Sequence, residues 1–319
     1  MIGRLTMDLR EILGIKYPII QGGMANISTA EFAAAVSDAG GLGIIASGGL
    51  TAEQLRIHIR RARALTDKPF GVNIMLMHPE TEEMASIVAE ESVLIVTTGA
   101  GNPSKYMEKW KRAGIIIYPV IPSVALARRM ESLGADGVIA EGTESGGHVG
   151  ELTTMALVPQ VCAAVKIPVV AAGGIASGAQ MLAVYALGAC GVQIGTALLV
   201  SEECPIHENY KNALLKAGDT DTVVTGRISG APVRGLKNLM SREYLKREQE
   251  GASREELEIF TLGALRRAVL EGDVQNGSLM AGQVAGQLKE IRPVAAILEE
   301  MFSGCLGMLN GLQSELRNN

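Results

Sequence analysis

The chain holds 319 residues, enough for two average domains or for one large α/β barrel with an insertion. Its net charge of −5 argues against a general nucleic-acid binder, which carries a basic excess. Hydrophobic residues reach 47% while aromatics stay at 3%, so the core must be built from Ala, Val, Ile, Leu and Met.

In chain order, an amphipathic lead-in over residues 1–16 precedes an apolar run, residues 17–21, that ends at Gly22-Gly23-Met24. Ser28 followed by Glu31 has the spacing of a capping box opening a helix that stops at Gly40-Gly41. Residues 42–46 form a second short strand, and Thr51 opens a longer helix over 52–65 with an arginine-rich outer face. The alternation continues through strands at 70–76, 93–97, 115–121, 136–140, 167–172 and 191–195. Between them lie helices at 79–91, 104–113, 124–133, 155–165 and 179–187. Continuous apolar strands separated by amphipathic helices imply a parallel sheet covered by helices. Eight such units predict an α/β TIM (β/α)8 barrel over residues 1–201; an open doubly wound sheet would typically hold fewer.

Past Leu199 the rhythm breaks. Residues 202–275 are polar and helical in pattern and read as a smaller inserted domain for substrate or cofactor docking. Residues 276–319 read as a return segment whose final helix packs on the barrel. Within the insertion Arg227, Arg234, Lys237, Arg242, Lys246 and Arg247 face a single acid, Glu243, over the same span. Such a run is a solvated helical face or a docking surface for something anionic.

Active sites of TIM barrels lie at the C-terminal ends of the strands, and the last two βα loops commonly hold a phosphate. Here those loops are Gly173-Gly174, with Ser177-Gly178 leading into a helix, and Gly195-Thr196. Glycine amides beside a helix N-terminus form an anion site. The sixth strand empties into Glu141-Gly-Thr-Glu-Ser-Gly-Gly-His148-Val-Gly150, where glycines allow close backbone approach to a ligand. His148 is the side chain there whose ordinary pKa is closest to neutrality. Asn73 and Gln193, on apolar strands, need partners if buried: either core neighbours or the amide edges of a ring-shaped ligand. His58, His78 and His207 fall away from strand ends and read as structural or exposed.

Four scattered cysteines, Cys162, Cys190, Cys204 and Cys305, show no CxxC pair and no histidines at metal spacing, a reducing-compartment pattern. Cys162 and Cys190, in apolar surroundings, read as small core residues. No signal-peptide core and no apolar run of membrane-spanning length is present, so a cytoplasmic protein is expected.

Several strings resemble the flavin-dependent enoyl-acyl carrier protein reductases of the FabK type, in the superfamily of the nitronate monooxygenases. They include Tyr17 to Ala25 (YPIIQGGMA), Thr66 to Leu76 (TDKPFGVNIML), Thr97 to Met107 (TTGAGNPSKYM), the loop 141–150, Gly191 to Thr196 (GVQIGT) and Ser278 to Gln283 (SLMAGQ). The resemblance implies FMN, its phosphate in a cup of Gly173, Gly174, Gly195 and Thr196. Its ring would lie near Gly22, Gly23, Met24, Asn73, Glu141 and Gln193, with Met280 closing over it. It implies His148 as the catalytic residue, NADH or NADPH as reductant and acyl carrier protein as partner, received by Arg227, Arg234, Lys237 and Arg242. A homodimer is expected. No metal ligand set is assigned; some relatives require a monovalent cation, for which no ligands can be named. Asn26, Ala197 and Ala231 depart from residues common in such reductases. A nitronate monooxygenase and a non-redox barrel isomerase or lyase are the alternative expectations.

Overall fold

The computed structural model of the protein describes residues 8–318. Its strands are β1 (Ile19–Gln21), β2 (Gly43–Ala46), β3 (Phe70–Met75), β4 (Ile95–Gly99), β5 (Ile116–Ile121), β6 (Val138–Glu141), β7 (Gly147–His148), β8 (Val169–Ala172), β9 (Gly191–Ile194), β10 (Thr222–Thr225) and β11 (Val233–Leu236). Eight of them form one parallel sheet in the order β1-β9-β8-β6-β5-β4-β3-β2. The ring is joined by hydrogen bonds across the remaining gap, where Gln21 N–H donates to Leu42 O and Leu42 N–H donates to Ile19 O, both at 2.9 Å. The fold is therefore the expected TIM barrel.

Strand alternation sorts the side chains into two apolar layers. Val72, Ile74, Val96, Val138, Ala140, Val192 and Ile194 join the outer core between strands and helices. Ile20, Ile44, Ile95, Tyr118, Ile139 and Val170 fill the barrel interior. Leu9 and Leu13, from the short helix Leu9–Leu13, belong to that inner cluster and close its floor. Of the amphipathic lead-in, residues 1–7 lie outside the described residues.

Helices appear where the pattern placed them, with one local correction. The helix Ala30–Asp38 is capped by Thr29, whose hydroxyl accepts from Phe32 N–H, and not by Ser28. Ser28 is buried and turned toward the first strand, for reasons given below. Cys204 and Cys305 are buried, and Cys162 and Cys190, expected as core residues, are half-buried and pack against the two core clusters.

The segment after the barrel contains the helices Glu208–Lys216, Leu239–Gln249 and Arg254–Thr261, and also a β-hairpin that its polarity concealed. That hairpin, β10 and β11, extends antiparallel onto β7 in the order β10-β11-β7. Val233 lies opposite His148 and Arg234 opposite Gly147. A further bridge joins Gly235 to Met280. The final helix, Val294–Asn318, packs on the helix Gly178–Ala186 and runs longer than the pattern indicated. No helix among the described residues is long and apolar enough to cross a membrane.

Candidate active site

The same alternation that buries Ile139 inside the barrel turns Glu141 inward, at the C-terminal end of β6. It does likewise for Asn73 on β3, Thr97 on β4 and Gln193 on β9, whose outward neighbours all belong to the outer core. An apolar interior is thus topped by a polar layer at the barrel mouth. Asn73 Nδ2 donates to Thr97 Oγ1 at 2.9 Å, which leaves the Asn73 carbonyl oxygen without a partner among the described residues. Gln193 is buried, with 8% exposed, and its amide makes no hydrogen bond to any described residue. The Glu141 carboxyl likewise has no hydrogen-bonding partner among the described residues, and burial pushes its pKa up to about 7. Polar groups at the mouth that take no partner from the described residues are open to one from outside the chain, although the side-chain atoms that are both fully buried and unpartnered there belong to Thr143 and Ser145.

Gly22, Gly23 and Met24 follow β1 onto this layer. Gly22 N–H donates to Ile194 O at 2.8 Å, Gly23 packs against Asn73, and the Met24 sulfur lies beside Gly195. Ser28 holds this turn: its hydroxyl accepts from Met24 N–H and from Gln21 Nε2 and donates to Gly22 O, each at 3.1 Å. Read along the chain, Ser28 offers a plausible helix cap, and only its three-dimensional neighbours reveal this other use.

Gly173 and Gly174 take φ values of +90° and +73°, a left-handed backbone that a side chain would strain. A Cβ on Gly173 would stand 2.7 Å from Gly142 O, so the two loops are in backbone contact. The amides of Gly174 and Gly195 donate to no acceptor among the described residues. Thr196 sits at the start of a 3-10 turn, and its hydroxyl accepts from Gly282 N–H at 2.9 Å. Free amides on a left-handed turn suit an anion. The four residues expected to hold a phosphate are therefore compatible with one.

The 141–150 loop is pinned rather than free. The Glu144 carboxylate accepts from Thr154 N–H at 2.9 and 3.0 Å and from the Thr154 hydroxyl at 3.0 Å, which caps the following helix and shapes the loop. Thr143 N–H donates to Leu152 O at 2.8 Å. The hydroxyls of Thr143 and Ser145 are buried without partners. The His148 ring makes no hydrogen bond to any described residue. The residue is exposed, yet the packing around the ring lowers its pKa from the ordinary value, which favours the neutral imidazole. Met280 brings its sulfur within 3.6 Å of where a Gly147 Cβ would lie, and its carbonyl accepts from Tyr210 OH at 2.8 Å. The other histidines serve as local acceptors: His58 Nδ1 for Ala30 N–H, His78 Nδ1 for Glu80 N–H and His207 Nδ1 for Asn209 N–H. Among the described residues no group of three or more His, Cys, Asp or Glu side chains could hold a metal ion.

The nitronate monooxygenase family model matches residues 7–91 and 83–304, which together span most of the chain. The chain belongs to the nitronate monooxygenase family. Membership makes it an oxidoreductase. Among similar proteins is the structure of FabK from Thermotoga maritima, 47% identical, covering 96% of this chain and 98% of that one with a TM-score of 0.94. A probable nitronate monooxygenase of Staphylococcus saprophyticus is 35% identical, over 88% of this chain and 92% of its own length. A (3aS,4S,5R,7aS)-5-hydroxy-7a-methyl-1-oxo-octahydro-1H-indene-4-carboxyl-CoA dehydrogenase of Rhodococcus jostii is 38% identical over 73% of this chain, which spans just under two thirds of its length, 66%.

In this nitronate monooxygenase family member the basic span does not form one surface. Arg234 is buried, with 6% exposed, and its guanidinium donates to Thr143 O and Thr222 Oγ1, so it cannot present charge to a docking partner. Arg227 is exposed but pairs with Glu151 at 3.0 Å, an acid the span itself does not contain. Arg247 pairs with Glu243 at 2.8 Å and stacks 4.1 Å over the Phe260 ring. Lys237 and Arg242 are exposed and make no ion pair with any described residue.

Proposed function

We propose that this protein is an FMN-dependent enoyl-acyl carrier protein reductase that takes its reducing equivalents from NADH or NADPH. The observation that carries the reading is the likeness to FabK, higher in identity and more complete in coverage than the likeness to the nitronate monooxygenase or the CoA dehydrogenase. The geometry is compatible with it. The free amides of Gly174 and Gly195, beside Gly173 and Thr196, would hold the FMN phosphate. Gly22, Gly23, Met24, Asn73, Glu141 and Gln193 would line the ring, with Met280 beside it. Bound there, FMN supplies hydride acceptance from the nicotinamide and hydride donation to the β-carbon of an enoyl thioester.

The chain's own residues do the rest. His148, free of internal partners, either donates a proton to the α-carbon or holds the thioester oxygen by a hydrogen bond; both roles suit an unpaired ring. Glu141, with a pKa near neutrality, can donate a hydrogen bond from its protonated carboxyl or accept one when ionised. Asn73 is oriented by Thr97, and Gln193 presents an amide with no competing partner. Acyl carrier protein would be received on the exposed cations Arg227, Lys237 and Arg242, Arg234 being withdrawn from that set by its burial. A homodimer is the expected assembly, to be checked by light scattering.

The second reading, a nitronate monooxygenase, is favoured by the family match and by the Staphylococcus relative. There His148 would take a proton from the carbon bearing the nitro group. One pair of assays separates the two. A yellow protein that oxidises NAD(P)H with a crotonyl thioester is the expected outcome. Oxygen consumption with a nitronate, and no thioester reduction, would overturn the reductase reading.

A further inference from the structure

We propose that Arg234 is a positioning residue, a buried clamp that fixes the 142–148 loop and with it the placement of His148. This rests on the reading above in which His148 acts on the substrate. Arg234 reaches in two directions from β11. Its Nε donates to Thr143 O at 3.1 Å, in the loop, and its Nη1 donates to Thr222 Oγ1 at 3.1 Å, on β10. Its backbone lies directly opposite Gly147. His148 stands one residue after the paired glycine, so a shift of the loop moves it, whereas Glu141 is held in β6 opposite Ala172 of the barrel.

Filling space does not explain an arginine here. The guanidinium is buried and makes no ion pair with any described residue. The nearest compensation is the field of Glu144, whose carboxylate is already committed to Thr154, and burial is the largest influence on Arg234, pulling its pKa down. An unpaired buried cation costs free energy that a leucine or methionine of similar size would not. What arginine supplies and those residues cannot is a rigid planar fork with donors in fixed directions.

The loop needs such a tie. Gly142, Gly146 and Gly147 lose more conformational freedom on ordering than other residues would. From the barrel side, residues 143 and 144 are held by Thr143 N–H on Leu152 O, by Glu144 on Thr154, and by Gln283 N–H on Glu144 O. From the outer sheet, the backbone pairing of β7 with β11 is joined, among the described residues, by one side-chain tie to residues 142–148, that of Arg234, with Arg227 reaching Glu151 just beyond them. Small displacements of reacting groups carry large rate penalties, so the clamp is expected to act on turnover more than on affinity.

The test uses the full-length, flavin-loaded protein and whichever of the two reactions the wild type catalyses. Arg234→Met is expected to lower kcat by about tenfold or more while KM stays within about threefold and the flavin absorbance is retained. Arg234→Lys, which keeps the charge but can reach only one anchor, should recover only part of the loss. Thr222→Val removes the second anchor alone and should lower kcat by roughly twofold to threefold, with no further loss when added to Arg234→Met. An unchanged kcat in Arg234→Met overturns the proposal, as does a loss that merely follows the folded fraction measured by melting. Independent, multiplicative effects of the two substitutions also overturn it. If Arg234→Met does not fold, Arg234→Lys and Thr222→Val decide by the same criteria. A wild type inert toward enoyl thioesters but active on nitronates would overturn the reductase reading, and the clamp is then scored on nitronate turnover.

Discussion

Two collections of polar residues lie on this molecule, and they are treated in opposite ways. At the barrel mouth, the side chains of Glu141, Gln193 and His148 have no hydrogen-bonding partner among the described residues; Gln193 is buried, His148 is exposed, and the packing around them raises the pKa of Glu141 and lowers that of His148. On the outer face, Arg227 and Arg247 stand largely in solvent and are each paired with a carboxylate. Leaving polar groups unpaired where water is scarce is costly, and pairing them where water is plentiful gains little. The unpaired set is therefore the candidate place for a ligand, and most of the paired set is ordinary surface. Arg234 belongs to neither group: it lies in the basic span by sequence and beside the mouth in space.

This contrast can be broken by substitution. The largest effect is expected at His148: His148→Ala should retain bound flavin yet lose on the order of 10²-fold or more in kcat for enoyl reduction. Full activity in that variant would end its assignment. Next comes Glu141, tested in the flavin-free protein. Its carboxyl binds a proton more tightly folded than unfolded, since its pKa near 7 stands above the ordinary 4.5. The stability this confers is complete below about pH 4.5 and is lost as pH rises through 7, a loss of about 3 kcal/mol in all. Melting of the wild type from pH 5 to pH 8 should show that decline, and Glu141→Gln should flatten it; parallel curves for the two proteins would show that Glu141 is not the group responsible.

Smaller effects are expected on the outer face. Reversing Arg227, Lys237 and Arg242 together to glutamate should raise KM for a carrier-borne enoyl substrate by roughly tenfold and leave a short CoA analogue little changed. Equal changes for both substrates would place the carrier elsewhere. Least of all, Glu151→Gln, which removes the partner of Arg227, should shift Tm by less than about 2 °C. A large drop would mean that this exposed pair does structural duty and that the contrast between the two regions is too simple.

Much of the mouth was legible because a strand's alternation is a local property. Once Ile139 and Val138 are assigned to opposite faces, Glu141 must face inward, and the same reasoning fixes Asn73 and Gln193. The glycines at 173, 174 and 195 were readable because loops at the ends of the last barrel strands have a known place. Ser28 was misread because a hydroxyl before a helix is a plausible cap from either of two adjacent positions, and only the neighbouring Met24 amide and Gln21 side chain select the other use. Arg234 was misread for a related reason: six cations in a short span look like a surface, and nothing local shows that one of them turns inward.

The sequence by itself determined the eight-fold alternation, the positions of the strand ends and the chemistry available there, since hydrophobic periodicity and glycine-rich turns act over a few residues. Only the tertiary structure decided that the loop after β6 becomes the edge of a second sheet. The hairpin that pairs with it lies some 85 residues further along the chain, and its register depends on contacts that no local pattern encodes. That pairing sets Gly147 against Arg234, and the adjoining bridge from Gly235 brings Met280 to the side of Gly147. Long-range backbone pairing, rather than local propensity, thus assembled the outer wall of the site.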